Sequence, residues 1–384
     1  VIFFSSARTC SPPPGGPPEL EPLKIIGLFP RFLPHRRNQD YLYHRALAEL
    51  YRRMGHTFEI VPDLSFCLKA SFYYLAQREV NRMKSAPWLL AAVNRRHRRI
   101  GLPRRLVRPD VCYHSNCYVP PAVARQMILE TEFYDYAETA EGRASGRALR
   151  LSAEEVATLS ALVVRTEISR EFFLRDYPAQ FAAKVHVIPF FMPYLGYWEE
   201  HRPRKPDPGR GLNFLFVGNQ AHRKGLDHFL ELRRTMAEIG TPYRFSVVSN
   251  FQDGADFDLT GVEVHRGIAG EKVRQLMEQA HYLVLPTRGD VHPKVMYEGC
   301  AAGCTLIYSD LRPLRDIWRG CGYEVVLGRA RESLREVAAT LARQGGDLAL
   351  GQKNHQKFRA EFSPARVLSS YRNLVAGVSV GSTA

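Results

Sequence analysis

Short, unbroken apolar runs alternate with stretches of helical period along most of this chain. LKIIGLF (23–29) has the length of a buried strand. A polar loop, PRFLPHRRNQD, follows, and then YLYHRALAELYRRMG, apolar at helical spacing and closed by Gly55. HTFEIVP supplies the next strand. A strand, loop, helix and strand in this order open a doubly wound domain. Farther on, QMILETEF (126–133) and ALVVRTE (161–167) have the pattern of buried strands. EISREFFLRDYP is a helix that stops near Pro178, and KVHVIPFF is a further strand.

Residues 201–210, HRPRKPDPGR, carry prolines and charges and no apolar side chain to bury, so they are expected to be a linker. After them the alternation restarts. LNFLFVG (212–218), YRFSVVSN, VEVHRGI, HYLVLPT (281–287) and CTLIYSD are strands. LDHFLELRRTMAEIG and EKVRQLMEQA are helices between them, the first closed by Gly240. The tail SPARVLSSYRNLVAG (363–377) is an amphipathic helix opened by Ser363 with Pro364 at its first position. The expected class is therefore α/β, with two Rossmann-like doubly wound domains facing a cleft. The expected divisions are a disordered leader over 1–23, an N-terminal domain over 24–200, the linker, a C-terminal domain over 211–362, and over 363–384 a helix crossing back towards the N-terminal domain, with a tail.

The length of 384 residues suits two such domains. The leader rests on SPPPGGPPELEP, which can form neither a helix nor a central strand. No apolar window of about 18–20 residues exists to span a bilayer. The seven Cys fall at no zinc-ligand spacing and are expected to be free thiols in a reducing compartment. The formal charge of +14 calls for anionic partners. It is concentrated in the acid-free stretch between Glu79 and Asp110, where Trp88, Leu89, Leu90 and Val93 adjoin Arg95, Arg96, Arg98, Arg99, Arg104 and Arg105. Such a segment, residues 82–108, can rest on an anionic membrane surface; a core-facing helix followed by a solvated basic loop is the plainer alternative. No nucleic-acid-binding module is recognisable, and no aromatics interleave with the arginines, so nucleic acid is not expected as a partner.

Two strand-to-helix loops in the second half carry the candidate chemistry. VGNQAHRKG (217–225) places Gly218 at a strand end, where the backbone can turn and a ligand can approach it, and puts Arg223 and Lys224 before a helix. A helix N-terminus with two cations beside it suits a diphosphate. The spacing matches neither the P-loop nor GxGxxG, and an exposed basic turn is the alternative. GDVHPKVMYEGCAAG (289–303) places Asp290 in a loop, Pro293 at the first helical position and Glu298 in the second turn. The two carboxylates can converge on one ligand and accept hydrogen bonds from its hydroxyls, as a sugar and a ribose would require. Alternatively, Asp290 only complements the helix dipole and Glu298 is a surface acid. Asp256-Phe257-Asp258 is the only DxD-like string; it precedes a strand, so no metal is expected there.

In this order and at this separation, the two loops resemble those of retaining glycosyltransferases of the family 4 type, whose pattern is V-G-R-x(4)-K-G followed later by E-x(7)-E and A-x-A-x-G. The likeness is strong over residues 160–376 and weak over 24–150. It implies the glycosyltransferase B fold and a nucleotide-sugar donor, and transfer to a glycan or lipid-linked acceptor with retention and without a metal or other cofactor. Together with the cysteine pattern and the basic stretch 82–108, it leads to the expectation of a cytoplasmic location, free or peripheral on the inner membrane face, in cell-envelope glycan synthesis. Lys224 matches the lysine that holds the donor diphosphate, Glu298 the acid that binds the ribose, and Asp290 the acid near the donor sugar. The donor-binding set is then Gly218, Asn219, Arg223, Lys224, Lys294 and Glu298, with Asp290 and Lys224 as the catalytic pair. Asn219 stands where the family has arginine, with Arg223 or Lys294 as substitutes for its charge. Asp290 stands for glutamate and Pro293 for glycine. PRFLPHRR replaces a Gly-rich loop, and Glu132 replaces a histidine. These departures define the alternative: a non-catalytic relative that binds a nucleotide or glycan. A basic protein of nucleic-acid or membrane surfaces is a third reading.

Overall fold

In the computed structural model, residues 23–29, 39–62, 111–115, 126–131, 153–240, 242–250, 257–290 and 292–380 are described. The leader up to its last residue, the loop at 30–37, the basic stretch 82–108, Glu132 and Asp256 lie outside them. The chain divides into two compact units, one holding Tyr194–Ser363 and the other Glu19–Pro193 with Pro364–Ala384. The division falls ahead of the Pro-rich stretch 201–210, which belongs to the unit that follows it.

The first unit is built on a sheet of β1 (Lys24–Phe29), β2 (Thr57–Pro62), β3 (Val111–Ser115), β4 (Gln126–Glu130), β5 (Ala161–Val164) and β6 (Val185–Val187). Its order is β2-β1-β3-β4-β5-β6, and every pairing is parallel. All residues of β4 and β5 are buried, as parallel strands covered on both faces must be. β4 ends at Glu130, three residues before the apolar reading placed its end. The helix Glu167–Asp176 begins where Thr166 accepts a hydrogen bond from Ser169 N at 3.0 Å, and packs Ile168, Phe172 and Phe173 into the core with Leu129, Leu162 and Val164. Helix Pro364–Val380 belongs to this unit. Its Tyr371 hydroxyl donates to Glu130 Oε1 at 3.0 Å, and that carboxylate is also ion-paired with Arg165. Arg165 in turn donates to Ile188 O at 2.8 Å and lies 4.2 Å from the centroid of the Phe190 ring.

The second unit has β7 (Leu212–Val217), β8 (Tyr243–Val248), β9 (Glu263–His265), β10 (Tyr282–Leu285), β11 (Thr305–Ser309) and β12 (Gly322–Val325) in the order β12-β11-β10-β7-β8-β9, all parallel. From β7 the chain winds outward through β8 to β9. It then returns to β7's other side with β10 and winds outward the opposite way. This is the 3-2-1-4-5-6 order of a nucleotide-binding sheet, and its topological switch point lies between β7 and β10. Phe214 stacks on Phe245 and on Tyr282 with centroids 4.5 and 5.0 Å apart, which ties the three central strands together.

The stretch 201–210 is not a bare connection. Lys205 Nζ donates to Met277 O and Ala280 O, each at 2.7 Å, and to Cys304 Sγ at 3.2 Å. An ammonium therefore closes the C-terminal end of helix Gly270–Gln279. A stretch without apolar residues can still bury a lysine stem, which the expectation of a free linker overlooked.

Candidate functional site

Ligands of open α/β sheets bind beyond the carboxyl ends of the strands at the switch point. In the second unit those ends are Gly218 after β7 and Pro286 after β10, and the two candidate loops start there. They touch. Gly225 has φ +81°, and a Cβ on it would lie 2.2 Å from Pro286 O. Thr287, fully buried, donates from its hydroxyl to Arg223 O at 2.9 Å and accepts from Asp290 N at 3.1 Å. Ser309 at the end of β11 holds Thr287 O at 2.6 Å. Arg288 donates to Asp227 through both terminal nitrogens and to His222 O at 2.7 Å. Two adjacent side chains thus lock one loop to the other.

The lock brings Lys224 and Asp290 together as an ion pair. The Lys224 stem lies along the strand end, where a Cβ on Gly218 would sit 3.1 Å from Lys224 Cγ. A side chain at Gly218 would press on that stem and shift it by a few tenths of an ångström. Burial, and then the neighbouring Arg223 guanidinium, push the Lys224 ammonium down to about 7. Residues 221–224, expected to be loop, form one helical turn that ends at Gly225, and the helix Leu226–Ile239 starts immediately after. A left-handed glycine between two helical segments makes the bend that aims Lys224 at the other loop.

The other expected residues take these places. Arg223 Nε donates to Gln220 Oε1, and its Nη1 lies 3.5 Å from Gly289 O. Asn219 Oδ1 accepts from Asn250 N at 2.9 Å, so its side chain ties the end of β7 to the end of β8. Pro293 stands just outside the helix Lys294–Ala301 rather than at its first position, with ψ 111°. Lys294 opens the helix, and Glu298 follows one turn later. The Glu298 carboxyl is pushed up by burial, against the Tyr194 hydroxyl and the Lys294 ammonium, which favour its charged form. Tyr194 OH donates to Glu298 Oε1 at 2.7 Å. Asp258, of the DxD-like string, accepts from Thr260 N at 3.0 Å. Among the described residues no group of His, Cys, Asp and Glu is placed to hold a metal ion.

Sequence reasoning missed Tyr194, Thr287, Arg288 and Asp227. Thr287 and Arg288 had a signal: they lie between the strand and Asp290. Tyr194 had none, because its contact spans 104 residues.

Neither a protein-family model nor a curated protein sequence matches the chain. Solved structures do. The lipopolysaccharide outer core galactosyltransferase WaaB matches with TM-score 0.58 at 10% identity, over 91% of this chain and 99% of its own. Anabaena HepE, crystallised with UDP and glucose, matches with TM-score 0.54 at 12% identity, over 92% and 99%. The fold is the glycosyltransferase B fold. TarM is similar over a smaller part, with TM-score 0.51 at 12% identity; the match takes in 69% of this chain and about half, 54%, of TarM. In the glycosyltransferase B architecture each unit has its own doubly wound parallel sheet, as both sheets here do.

Proposed function

We propose that the second unit binds the nucleoside diphosphate of a nucleotide-sugar donor, and that the chain transfers the sugar to a glycan or lipid-linked acceptor with retention of configuration. The observation that carries this reading is the Lys224–Asp290 pair at the switch point, with Glu298 in the helix that follows the Asp290 loop. The crystallised HepE complex, which holds UDP and glucose, is consistent with it. Lys224 would exchange Asp290 for a diphosphate oxygen and stabilise the charge that grows on the leaving group as the glycosidic bond breaks; Arg223 and Lys294 would add to that field. Asp290, freed from the lysine, would face the sugar. Glu298 would accept from the ribose hydroxyls. The acceptor would attack from the face the diphosphate leaves. No described helix is long and apolar enough to cross a membrane; a location in the cytoplasm, free or against the inner membrane face, is part of the proposal.

The test is turnover. The chain is incubated with UDP-, GDP- and ADP-sugars and with glycan and lipid-linked acceptors, with and without a chelator, and the anomeric configuration of the product is read by NMR. The proposal expects one donor class to be used, the donor's anomer to be kept and the chelator to change nothing. Lys224→Ala should lower the rate by roughly 10²–10³, the loss typical of one preorganised donor of positive charge. Nucleotide binding with no turnover would favour the non-catalytic alternative.

A pH effect follows from the depressed Lys224. Above about pH 7 the free protein holds this side chain increasingly neutral. An arriving diphosphate restores the proton. Affinity should therefore fall as pH rises from 6.5 to 8.5, by up to about tenfold per pH unit above the pKa. At pH 8 the heat of binding should differ between buffers of different ionisation enthalpy, because a proton is taken up. Lys224→Arg, charged throughout, should lose both dependences. A wild-type affinity flat across this range would contradict the assignment.

A further inference from the structure

Glu298 has two carboxylate oxygens and one described hydrogen-bond partner. Oε1 accepts from Tyr194 OH at 2.7 Å; Oε2 accepts from none of the described residues. The backbone beneath is fixed. Gly299 packs so closely on β10 that a Cβ there would lie 2.5 Å from Leu283 Cδ2. The Glu298 side chain itself has three torsions, and among the described residues the hydrogen bond that holds its end comes from Tyr194. Tyr194 sits in the turn Pro193–Gly196 and is 47% exposed, whereas Leu195 and Trp198 beside it are 2% and 3% exposed. A ring left about half exposed gains only part of what full burial would give. Its hydroxyl is committed to the carboxylate instead.

We propose that Tyr194 is a positioning residue for diol recognition: it anchors Glu298 through Oε1 so that Oε2 is presented to a vicinal diol, the ribose of the bound nucleotide. The inference rests on the nucleotide-binding reading of this site. Pre-fixing the acceptor removes the torsional freedom that a loose carboxylate would lose on binding. Tyr194 gains no contact with the ligand in this scheme. Its effect exists only through Glu298 and only for a ligand that carries the diol.

Calorimetric titration separates the possibilities. UDP, GDP and ADP, and the 2′,3′-dideoxy counterpart of whichever binds, are titrated against wild type, Tyr194→Phe, Glu298→Ala and the double variant. Tyr194→Phe keeps the ring and removes the anchoring hydroxyl. Expected is a loss of about 3–10-fold for the ribonucleotide, the size of one immobilised side chain, and no change for the dideoxy compound. On the Glu298→Ala background, Tyr194→Phe should have no further effect. An equal loss for both nucleotides would overturn the proposal in favour of general packing. Tighter ribonucleotide binding by Tyr194→Phe would overturn it in favour of competition between the phenol and the ribose. If none of the three diphosphates binds wild type, the nucleotide reading fails, and this inference falls with it.

Discussion

Arg165→Met should destabilise the first unit by about 3–5 kcal/mol, the loss expected when one partner of a buried ion pair is removed. The Arg165 and Glu130 side chains are each 1% exposed. Without the guanidinium, Glu130 would keep one donor, the Tyr371 hydroxyl on the C-terminal helix, for a carboxylate sealed from water. The loss of the Arg165 bond to Ile188 O adds an unpaired carbonyl. The pair does not owe its place to net stabilisation, since the desolvation of two charges offsets most of their attraction. The double variant Glu130→Gln/Arg165→Met should therefore recover part of the loss, and Tyr371→Phe alone should lose only about 1.5–3 kcal/mol, one hydrogen bond to a charged group. Urea denaturation followed by circular dichroism checks the series. An Arg165→Met midpoint equal to wild type would contradict the buried pair.

Gly225→Ala is the second large effect, and it joins fold to site. The left-handed backbone disfavours any side chain by about 1–2 kcal/mol. The new methyl would also stand 2.2 Å from Pro286 O, a backbone atom that cannot step aside cheaply. Overpacking of that kind adds about 1–3 kcal/mol. Gly240→Ala separates the two contributions. Gly240 has φ +78° and nothing within 4 Å of the added carbon, so it should show the backbone part alone. Pushing the loop at 286–290 away from Arg223 and Lys224 would also separate Lys224 from Asp290. Gly225→Ala is accordingly expected to lose nucleotide affinity as well as stability, and Gly240→Ala only stability. Equal losses in the two variants would show that the loops do not press on each other.

Both halves of the molecule were visible in the sequence where burial is continuous. β10 and β11 are buried throughout and β7 at four of its six residues, and short, mainly apolar runs announce them. β12 has only Val325 buried, and β3, VCYHS, lacks an apolar run, so neither carries the pattern. Between Arg312 and Lys357 the helices went unassigned as well. The site was partly legible. Glycine before a basic turn and acids around a helix start are local features, and they located both loops. What joins the loops is not local. Lys224 and Asp290 were given separate ligand contacts by resemblance, and here they hold each other. Pro293 was expected inside the helix, yet its ψ places it outside. Lys205, in a stretch without apolar residues, was legible only as charge. Tyr194 and Glu298, like Glu130 and Tyr371, meet across 104 and 241 residues, and no spacing rule reaches that far.

The central claim is that the switch-point loops hold a nucleoside diphosphate, and one measurement addresses it directly. UDP, GDP and ADP are titrated calorimetrically, at pH 6.5 and without added metal, into wild type, Lys224→Ala and Glu298→Ala. The account predicts that one nucleotide binds and that each substitution weakens it by about 1.5–3 kcal/mol, the worth of a hydrogen bond to a charged group. Binding that is absent in wild type, or unchanged in both variants, would contradict it.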